Sequence, residues 1–394
     1  MKSVTKFLVM LVFAVLVLPN VASAQHYIET VLVSNFGTPP VSDSNLQNPW
    51  GLVAGPTSPW WVSNNAGGTS TLYDATGLTL LPPAVPPVTI VPINTTGIVT
   101  IPSAPSQNGA LGSPTSVMFN GNPDVFHLPT NKKPAARFIF VTEDDTVQGW
   151  AGGASATIVV DNSVKPNAEN GAVYKGATIA EIDGKEYILA ANFRSGRVDV
   201  FDSTFKQVHL RKEESDDAYE QHSRDAFDDD SIPEDFAPFN IQGIGPNIYI
   251  TYAKQDGPRH DPVGGEGLGF VDVFTSEGRL LQRLQHGSWF NAPWGVVLTP
   301  SDFGEFSHTV LVGNFRGGTI AAFNPVTGRF MGNVLNADGS KVNIDGLWAL
   351  EFGNGNSAGP AQTLFFTAGP HNEKDGLFGT LTPIASELNE DDEQ

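Results

Sequence analysis

Four polar residues of this chain have side chains that could bind a metal ion, and each lies beside a short apolar run. Asn192 and Asn314 each follow an apolar run and open an Asn-Phe-Arg-x-Gly stretch. Glu143 directly follows the run at 138–142, and Asp345 precedes the run at 347–350. Carboxylate and carboxamide oxygens are the ligands that hard cations such as Ca²⁺ prefer. These four residues are therefore candidate Ca²⁺ ligands, provided that the fold brings them together.

The asparagines also have a purely structural explanation. Asn accepts left-handed backbone conformations, and its side chain caps tight turns. A turn that recurs along a chain therefore repeats its Asn, with or without a ligand. Asn64, which follows the run at 60–63, fits this explanation as well as Asn192 and Asn314 do. Both interpretations stay open at this stage, and all three residues are candidates for a binding face.

Two arginines and two tryptophans complete the candidate binding face. Arg194 and Arg316 share a place in the Asn-Phe-Arg-x-Gly stretches, where a guanidinium is either solvated or donates to a carboxylate or phosphate. Trp50 and Trp294 both stand in Pro-Trp-Gly sequences. Such a tryptophan either packs between neighbouring sheets or offers a flat surface to a carbohydrate ring. The second alternative makes a carbohydrate-binding module one of the functions to test.

Several familiar chemistries lack their sequence signatures. The chain has no Cys, which excludes thiol catalysis and Cys-ligated zinc, and it contains no H-E-x-x-H motif and no phosphate loop. Its eight His are scattered without the spacing of metal ligands. The formal net charge of -20 argues against nucleic acid as a partner, because nucleic-acid binding depends on cationic contacts with phosphate. These features favour a binding protein over most enzyme classes.

The elements that must position these residues are short strands that recur along the chain. A unit with a Pro-Trp-Gly or small-residue entry into an apolar strand, followed by two further strands, appears six times. Its anchors fall near positions 51, 115, 176, 243, 295 and 346, a step that suits a four-stranded blade. The sequence thus predicts an all-β fold, a six-bladed β-propeller. We expect the segment Thr30–Ser34 to close the ring as an outer strand of the last blade.

A propeller places the candidate residues on one face of the ring. If each entry strand is innermost in its blade, the loops that lead into it and the turns between the second and third strands emerge on the same side. Polar groups from several blades then converge around the central channel, which is where propellers form pockets. This face is the predicted binding site.

Composition divides the chain into three parts. Residues 1–24 have the charged start, apolar centre and small-residue end of a signal peptide, which predicts a secreted protein, extracellular or periplasmic. Residues 25–385 form a single propeller domain with an acidic insertion at 211–235, and we expect the acidic tail at 386–394 to be disordered. No further stretch is long and apolar enough to span a bilayer, so the mature chain is predicted to have no transmembrane segment.

Longer motifs within the units resemble a family of secreted bacterial propeller proteins that is similar to the NHL-repeat propellers. The motifs are the Pro-Trp-Gly-Leu entry at 49–52, the Asn-Phe pairs at 192–193 and 314–315, and the segments 251–255, 344–350 and 366–370. The likeness covers nearly all of the mature chain. It implies an NHL-like six-bladed propeller, but no activity.

Three functions follow from these observations. The first is a non-catalytic scaffold that binds an unknown protein or glycan. The second is a Ca²⁺-dependent hydrolase or lactonase, because six-bladed propellers that resemble this chain hold a central Ca²⁺ with Asn, Asp and Glu from separate blades. That cation would polarise a substrate carbonyl while a neighbouring carboxylate activates water. The third function is the carbohydrate-binding module.

Overall fold

The protein is a six-bladed β-propeller in the computed structural model, which describes residues 25–77, 97–109, 111–167, 169–211 and 225–385. The predicted signal peptide, the predicted acidic tail and residues 212–224 of the predicted insertion lie outside the described residues. Six antiparallel sheets of four or more strands follow one another along the chain, each forming one blade. The fold class predicted from the repeat is confirmed.

The strands follow one another within a blade from the axis outward. Two strands, β1 (His26–Ser34) and β2 (Val41–Ser42), precede the first blade. Blade 1 contains β3 (Pro49–Val53), β4 (Trp60–Asn64), β5 (Thr69–Tyr73) and β6 (Ile98–Thr100). Blade 2 contains β7 (Pro114–Phe119), β8 (Phe138–Thr142), β9 (Thr146–Trp150) and β10 (Thr157–Asp161). Blade 3 contains β11 (Tyr174–Ile182), β12 (Lys185–Asn192), β13 (Arg197–Asp202) and β14 (Gln207–Val208). Blade 4 contains β15 (Phe236–Ile244), β16 (Asn247–Gln255), β17 (Pro262–Val263), β18 (Phe270–Thr275) and β19 (Leu280–Arg283). Blade 5 contains β20 (Pro293–Leu298), β21 (Val310–Asn314), β22 (Ile320–Phe323) and β23 (Phe330–Asn333). Blade 6 contains β24 (Leu335–Asn336), β25 (Leu347–Phe352), β26 (Leu364–Ala368) and β27 (Leu377–Pro383).

Helical segments are short. Among the described residues, 3₁₀ turns occur at Pro105–Gln107 and Gly304–Phe306, and one turn with a left-handed backbone at His371 and Asn372 occurs at Pro370–Glu373. Within the described ranges, no helix has the length and apolar character needed to cross a bilayer.

The innermost strands form the closed ring of the propeller. Each first strand packs on the first strand of the next blade, in the cycle β3, β7, β11, β15, β20, β25 and back to β3. The second strands β4, β8 and β21 are buried along their whole length because each blade is covered on both faces by its neighbours. One apolar cluster lies at each of the six blade interfaces of the described chain, and the cluster between blades 6 and 1 continues onto the axis.

Strand β1 closes the ring. It pairs antiparallel with β27, with Val33 opposite Phe378, and so becomes the fourth main strand of blade 6. Short parallel pairings with β2 and β24 extend the same sheet. The predicted closure by an N-terminal outer strand is therefore confirmed, and the first blade is joined to the last through a strand from the opposite end of the domain.

Closure by β1 predicts a difference between two truncations on that strand. Val33 is 0% exposed and belongs to the cluster between blades 6 and 1, whereas Ile28 is 47% exposed. Val33→Ala is expected to lower the free energy of unfolding by about 2 kcal/mol because it leaves a cavity, and Ile28→Ala by no more than about 0.5 kcal/mol. Urea denaturation of both variants measures the difference. Equal effects would contradict the packing of β1 into blade 6.

Candidate binding site at the channel mouth

The loops before the innermost strands and the turns after the second strands lie on one side of the ring, the upper face. Within a blade, the start of the first strand pairs with the end of the second, as in Pro49 with Asn64 and Pro293 with Asn314. Because the chain runs in the same direction in all six blades, these ends surround the axis on the same side. The candidate residues at these loops and turns therefore share one face.

Aromatic side chains seal the axial channel just below the upper face. Trp50 stacks on Trp348 with ring centroids 3.6 Å apart, and Trp294 meets these two rings edge-on at 6.3 and 5.8 Å. Phe315 stacks on the other side of the cluster, 3.8 Å from Trp348. The three indoles are 2%, 0% and 3% exposed, so they act as packing residues and present no open face to a carbohydrate ring. Any site above them has a closed floor.

A connected polar network lies above this floor, and we call it the channel mouth. Its members are Asn48, Asn65, Glu143, Lys175, His260, Asp261, Arg316 and Glu373. Lys175 is at its centre, with a side chain that is 0% exposed. Its ammonium donates a hydrogen bond to Glu143, lies 3.3 Å from Asp261 Oδ1 and is 5.2 Å from the ring centre of Trp50. Two carboxylates and an aromatic face thus offset the lost hydration of this ammonium.

His260 extends the network toward solvent. Its Nδ1 lies 3.0 Å from Asp261 Oδ1, and this hydrogen bond together with the charge of Lys175 holds the pKa of Asp261 well below its usual range. Glu143, His260 and Asp261 each place one possible ligand atom within 4.8 Å of the others, and they are the one such trio in the described part of the chain. Two carboxylates and an imidazole can ligate a divalent metal. The ammonium of Lys175, however, already contacts both carboxylates.

The other side of the channel mouth is a chain of hydrogen bonds. Asn65 Nδ2 donates to Glu143 Oε2 at 2.7 Å, and Asn48 Nδ2 donates to Glu373 Oε2 at 3.0 Å. Arg316 Nη2 lies 3.8 Å from Glu373 Oε1. Glu143 and Glu373 are therefore each matched by a cation and by an amide donor. This pairing spreads the negative charge of the mouth across several blades.

Glu373 is held by a strained backbone. His371, Asn372 and Glu373 have φ of 57°, 59° and 65°, three successive non-glycine residues in the left-handed region. Such a conformation costs about 1–2 kcal/mol per residue. Burial raises the pKa of the Glu373 carboxyl, so its ionised form is disfavoured as well. Strain that the surrounding structure maintains at one point is typical of functional sites.

A second buried carboxyl lies beside the mouth. Burial raises the pKa of Asp145 to about 7, even though Arg194 and His260 favour its charged form. Its Oδ1 is buried without a hydrogen-bond partner in the described structure. Arg194 Nη1 donates to the carbonyl of Gly171 at 2.9 Å. The carboxyl of Asp145 packs against the same glycine. Arg194 is thus near the mouth but anchored to the backbone of its own blade.

The predicted asparagines act within their own turns. Asn64 Nδ2 donates to Thr69 and Thr71 at 3.2 and 3.0 Å. Asn192 Oδ1 accepts the backbone N–H groups of residues 173 and 195, and its Nδ2 donates to Asp199 at 2.9 Å. These contacts are those of turn-capping residues, the structural alternative drawn from the sequence.

The four candidate Ca²⁺ ligands occupy different surroundings. Glu143 is in the channel mouth, whereas the amides of Asn192 and Asn314 are bonded inside their blades; Asn314 donates to the carbonyl of residue 289 at 2.9 Å and accepts the N–H of residue 291. Asp345 Oδ2 accepts the backbone N–H of residue 371 at 2.9 Å. Of the four, the structure brings Glu143 alone into the polar network above the seal. The metal-capable trio consists instead of Glu143, His260 and Asp261.

Sequence reasoning missed Lys175, His260, Asp261 and Glu373. A signal for Lys175 was present: it follows the residue paired with Asn192, just as Trp294 follows the residue paired with Asn314. A charged residue thus stands at a repeat position that is aromatic in four of the other five blades and is Thr115 in the remaining one. His260 and Asp261 lie in an irregular loop between β16 and β17 that no repeat position marks. Their role depends on a contact across 86 residues of chain.

One further string has catalytic spacing. Gly355-Asn356-Ser357-Ala358-Gly359 matches the G-x-S-x-G pattern of a nucleophile elbow, which requires a strand, a sharp turn and a helix. The segment lies in the loop between β25 and β26, and no helix follows it. The exposed hydroxyl of Ser357 donates to the carbonyl of Thr57. The context needed for a nucleophile is therefore missing.

Comparison with known proteins yields no family model that matches this chain. The chain is similar to three uncharacterized proteins of Acanthamoeba polyphaga mimivirus. It is 28% identical to R640 over 240 residues, 59% of this chain and 41% of R640. It is 26% identical to R648 and 28% identical to L690 over 348 residues each, 86% of this chain and 76% and 81% of those proteins. The chain thus spans about two fifths of the length of R640 and about three quarters or more of the lengths of R648 and L690.

Solved structures with a similar course of the chain include a streptogramin B lyase, with a TM-score of 0.46, 10% identity, and coverage of 91% of this chain and 98% of that one. The soluble aldose sugar dehydrogenase of Escherichia coli in its apo form gives a TM-score of 0.47 at 11% identity, over 91% of this chain and 100% of that one. At these TM-scores neither likeness carries an argument about the activity of this chain.

The buried carboxyl of Asp145 predicts a pH-dependent gain in stability when its charge is removed. Unfolded, this carboxyl ionises near pH 3.8, and folded near pH 7, so ionisation works against folding as the pH rises from 4 to 7. Asp145→Asn keeps the left-handed φ of 73° that Asn tolerates. It is expected to raise the free energy of unfolding by up to about 4 kcal/mol at pH 8 and by nothing below about pH 4.

Denaturant titrations at pH 8, 6 and 4 measure this dependence. Asp183→Asn is the matched control, because Asp183 also has a positive φ, of 50°, but is exposed. Its effect should be small and independent of pH. A pH-independent effect of Asp145→Asn would refute the buried, reluctantly ionised state of this carboxyl.

Proposed function

We propose that this propeller is a non-catalytic binding protein whose channel mouth docks a protein partner. The observation that carries the proposal is the convergence of one polar side chain from every blade around the fully buried Lys175. In blade order these side chains are Asn65, Glu143, Lys175, Asp261, Arg316 and Glu373. A ring of separate blades brings such groups together only at its axis.

The network does not serve stability well. A buried ion pair such as that of Lys175 with Glu143 contributes little to folding compared with apolar residues of the same volume, because both ions lose their hydration. Glu373 adds backbone strain on three successive residues. Features that are unfavourable for folding and that cluster at one opening favour a functional role.

The outer part of the mouth is available to a partner and carries both signs of charge. The side chains of Asp261 and His260 are 59% and 38% exposed, and those of Arg316 and Glu373 are 35% and 31% exposed. Alternating charges of this kind suit a protein surface with complementary charges, which steer association and fix its register. A glycan is less favoured, because Trp50 and Trp294, which could stack on a sugar ring, are buried.

Charge reversal tests the proposal. Arg316→Glu is expected to weaken capture of a partner from secreted and cell-envelope proteins of the source organism by at least about tenfold. Arg329→Glu is the matched control, because this exposed arginine lies in the same blade between β22 and β23, away from the mouth. Its effect should stay below about twofold, and the captured complex should dissociate as salt is raised. Quantitative pull-down with mass spectrometry measures both variants.

Two results would count against this function. Equal loss of capture by both arginine variants would show that the mouth is not the docking site. Binding on a glycan array that Arg316→Glu abolishes, with no captured protein, would replace the protein partner by a glycan. The proposal also depends on export of the chain, which is predicted from residues 1–24 and is tested by cell fractionation.

A metal-dependent hydrolase is the second candidate, and the trio Glu143, His260 and Asp261 favours it. An imidazole with two carboxylates suits Zn²⁺ or Mn²⁺ better than Ca²⁺, which prefers oxygen ligands alone. A bound metal would supply Lewis-acid activation of a carbonyl. It would have to displace the ammonium of Lys175, which contacts both carboxylates. We therefore propose that the ammonium of Lys175, and not a metal ion, is the cation that these two carboxylates bind.

Removal of Lys175 distinguishes a resident ammonium from a metal. Lys175→Met is expected to lower the free energy of unfolding by about 3 kcal/mol because two carboxylates lose their buried counter-ion. Millimolar Zn²⁺, Mn²⁺ or Ca²⁺ should then raise the melting temperature of the variant but not that of the EDTA-treated wild type. A metal-induced rise in the wild type that His260→Ala abolishes would instead favour the hydrolase.

A further inference from the structure

The axial channel continues below the aromatic seal as a separate cavity of about 170 Å³. All six innermost strands line it, and its walls combine polar and apolar atoms in about equal share, with Leu52, Val117 and Leu350 among the apolar side chains. A cavity of about 150 Å³ in a protein core is large enough to bind benzene. The cavity is closed toward the channel mouth by Trp50, Trp294 and Trp348. It is therefore distinct from the protein-docking site proposed above.

Glu351 is the one ionisable residue among those that line this cavity. It is the penultimate residue of β25, and the strands packed against β25, namely β3, β20, β21 and β26, contain no ionisable residue. Burial raises the pKa of its carboxyl to about 7, and the backbone N–H of Phe352 is the one group that favours the charged form. Glu351 lines the cavity and is partly exposed. No basic group is among those that shift the pKa of its carboxyl.

The other polar groups of the cavity are mostly engaged with the backbone. Ser116 Oγ donates to the carbonyl of Ala177 at 3.1 Å, and Thr178 Oγ1 accepts the N–H of Gly243 at 3.2 Å. Two carboxamides line the cavity from blade 4: Asn240 Nδ2 donates to the carbonyl of Trp294 at 2.9 Å, and Gln242 is the second. The cavity thus combines one carboxyl and two amides with apolar side chains.

We propose that this axial cavity binds a small organic cation, an alkylammonium whose charge pairs with Glu351 and whose apolar chain fills the channel. An ammonium has three donors, which the Glu351 carboxylate and the Gln242 carbonyl oxygen can accept. Ca²⁺ fits less well, because it needs six to eight oxygen ligands. The ligand enters from the lower face, where the innermost strands end, because the seal blocks the upper face.

The same chemistry is carried by a free amine and by a lysine side chain, and two probes distinguish these sources. Isothermal titration of the whole chain with n-butylammonium and with an Nα-acetyl-lysine amide compares them. The proposal expects n-butylammonium to bind, and n-butanol, its neutral counterpart, to bind at least about tenfold more weakly. Binding of the lysine derivative as well would identify a side chain of another protein as a possible occupant.

Protonation of Glu351 gives the second readout. The amine stays protonated between pH 6 and pH 8, while a carboxyl that titrates near pH 7 is mostly neutral at pH 6 and mostly ionised at pH 8. The affinity for n-butylammonium should therefore be about tenfold higher at pH 8 than at pH 6. Glu351→Gln should remove this pH dependence and weaken binding at pH 8 by at least about tenfold.

Glu181→Gln is the matched control, because Glu181 lies near the lower end of another innermost strand, β11, but is exposed and does not line the cavity. It should leave the affinity within about twofold of the wild type. The proposal is overturned if butanol binds as well as n-butylammonium, if folded Glu351→Gln binds normally, or if Ca²⁺ binds and the amine does not. If Glu351→Gln does not fold, the pH series and the butanol comparison on the wild type still test whether the cavity binds an alkylammonium.

Discussion

The whole molecule depends on how closely the innermost strands approach one another at the axis. In blades 1, 3 and 5 this approach requires a glycine. A Cβ at Gly51 would lie 2.8 Å from the carbonyl oxygen of Thr115 in the next blade, and a Cβ at Gly295 would lie 2.5 Å from that of Trp348. Distances below 3.0 Å are not tolerated, so a side chain at either position would push two blades apart. The Trp-Gly pairs of the sequence are therefore a requirement of ring closure.

Close approach also determines what happens on the axis. The residue before each of these glycines is brought against its counterparts from other blades, and two of the three are tryptophans that help to seal the channel. The third is Lys175, whose ammonium reaches above the seal to Glu143 and Asp261. The seal divides the axis into a charged mouth above and a cavity below, whose lining is both polar and apolar and contains one carboxyl. Two chemically different sites follow from one packing constraint.

Both sites contain groups that lower the stability of the fold. Lys175 is buried with its ion pairs, Asp145 and Glu351 hold carboxyls whose ionisation burial opposes, and Glu373 stands on a left-handed backbone. The six apolar clusters between blades, together with closure by β1, supply the stability that tolerates them. A rigid ring can therefore maintain unfavourable groups at its axis, where several blades hold them in place.

The sequence by itself determined the blades, because each depends on local patterns: short apolar strands, turn residues and an entry motif repeated six times. It also determined that β1 closes the ring and that the loops preceding the innermost strands share one face, since both follow from strand order. The bonding of Asn192 and Asn314 within their own blades is the structural alternative that the sequence already offered. The pairing of Lys175 with Asp261 and the place of Glu351 beside a cavity were decided by tertiary structure. These contacts join residues of different blades, or distinguish the two sides of a strand at a bulge such as that between Leu347 and Leu350. No local pattern encodes them, because they exist only once the ring has closed.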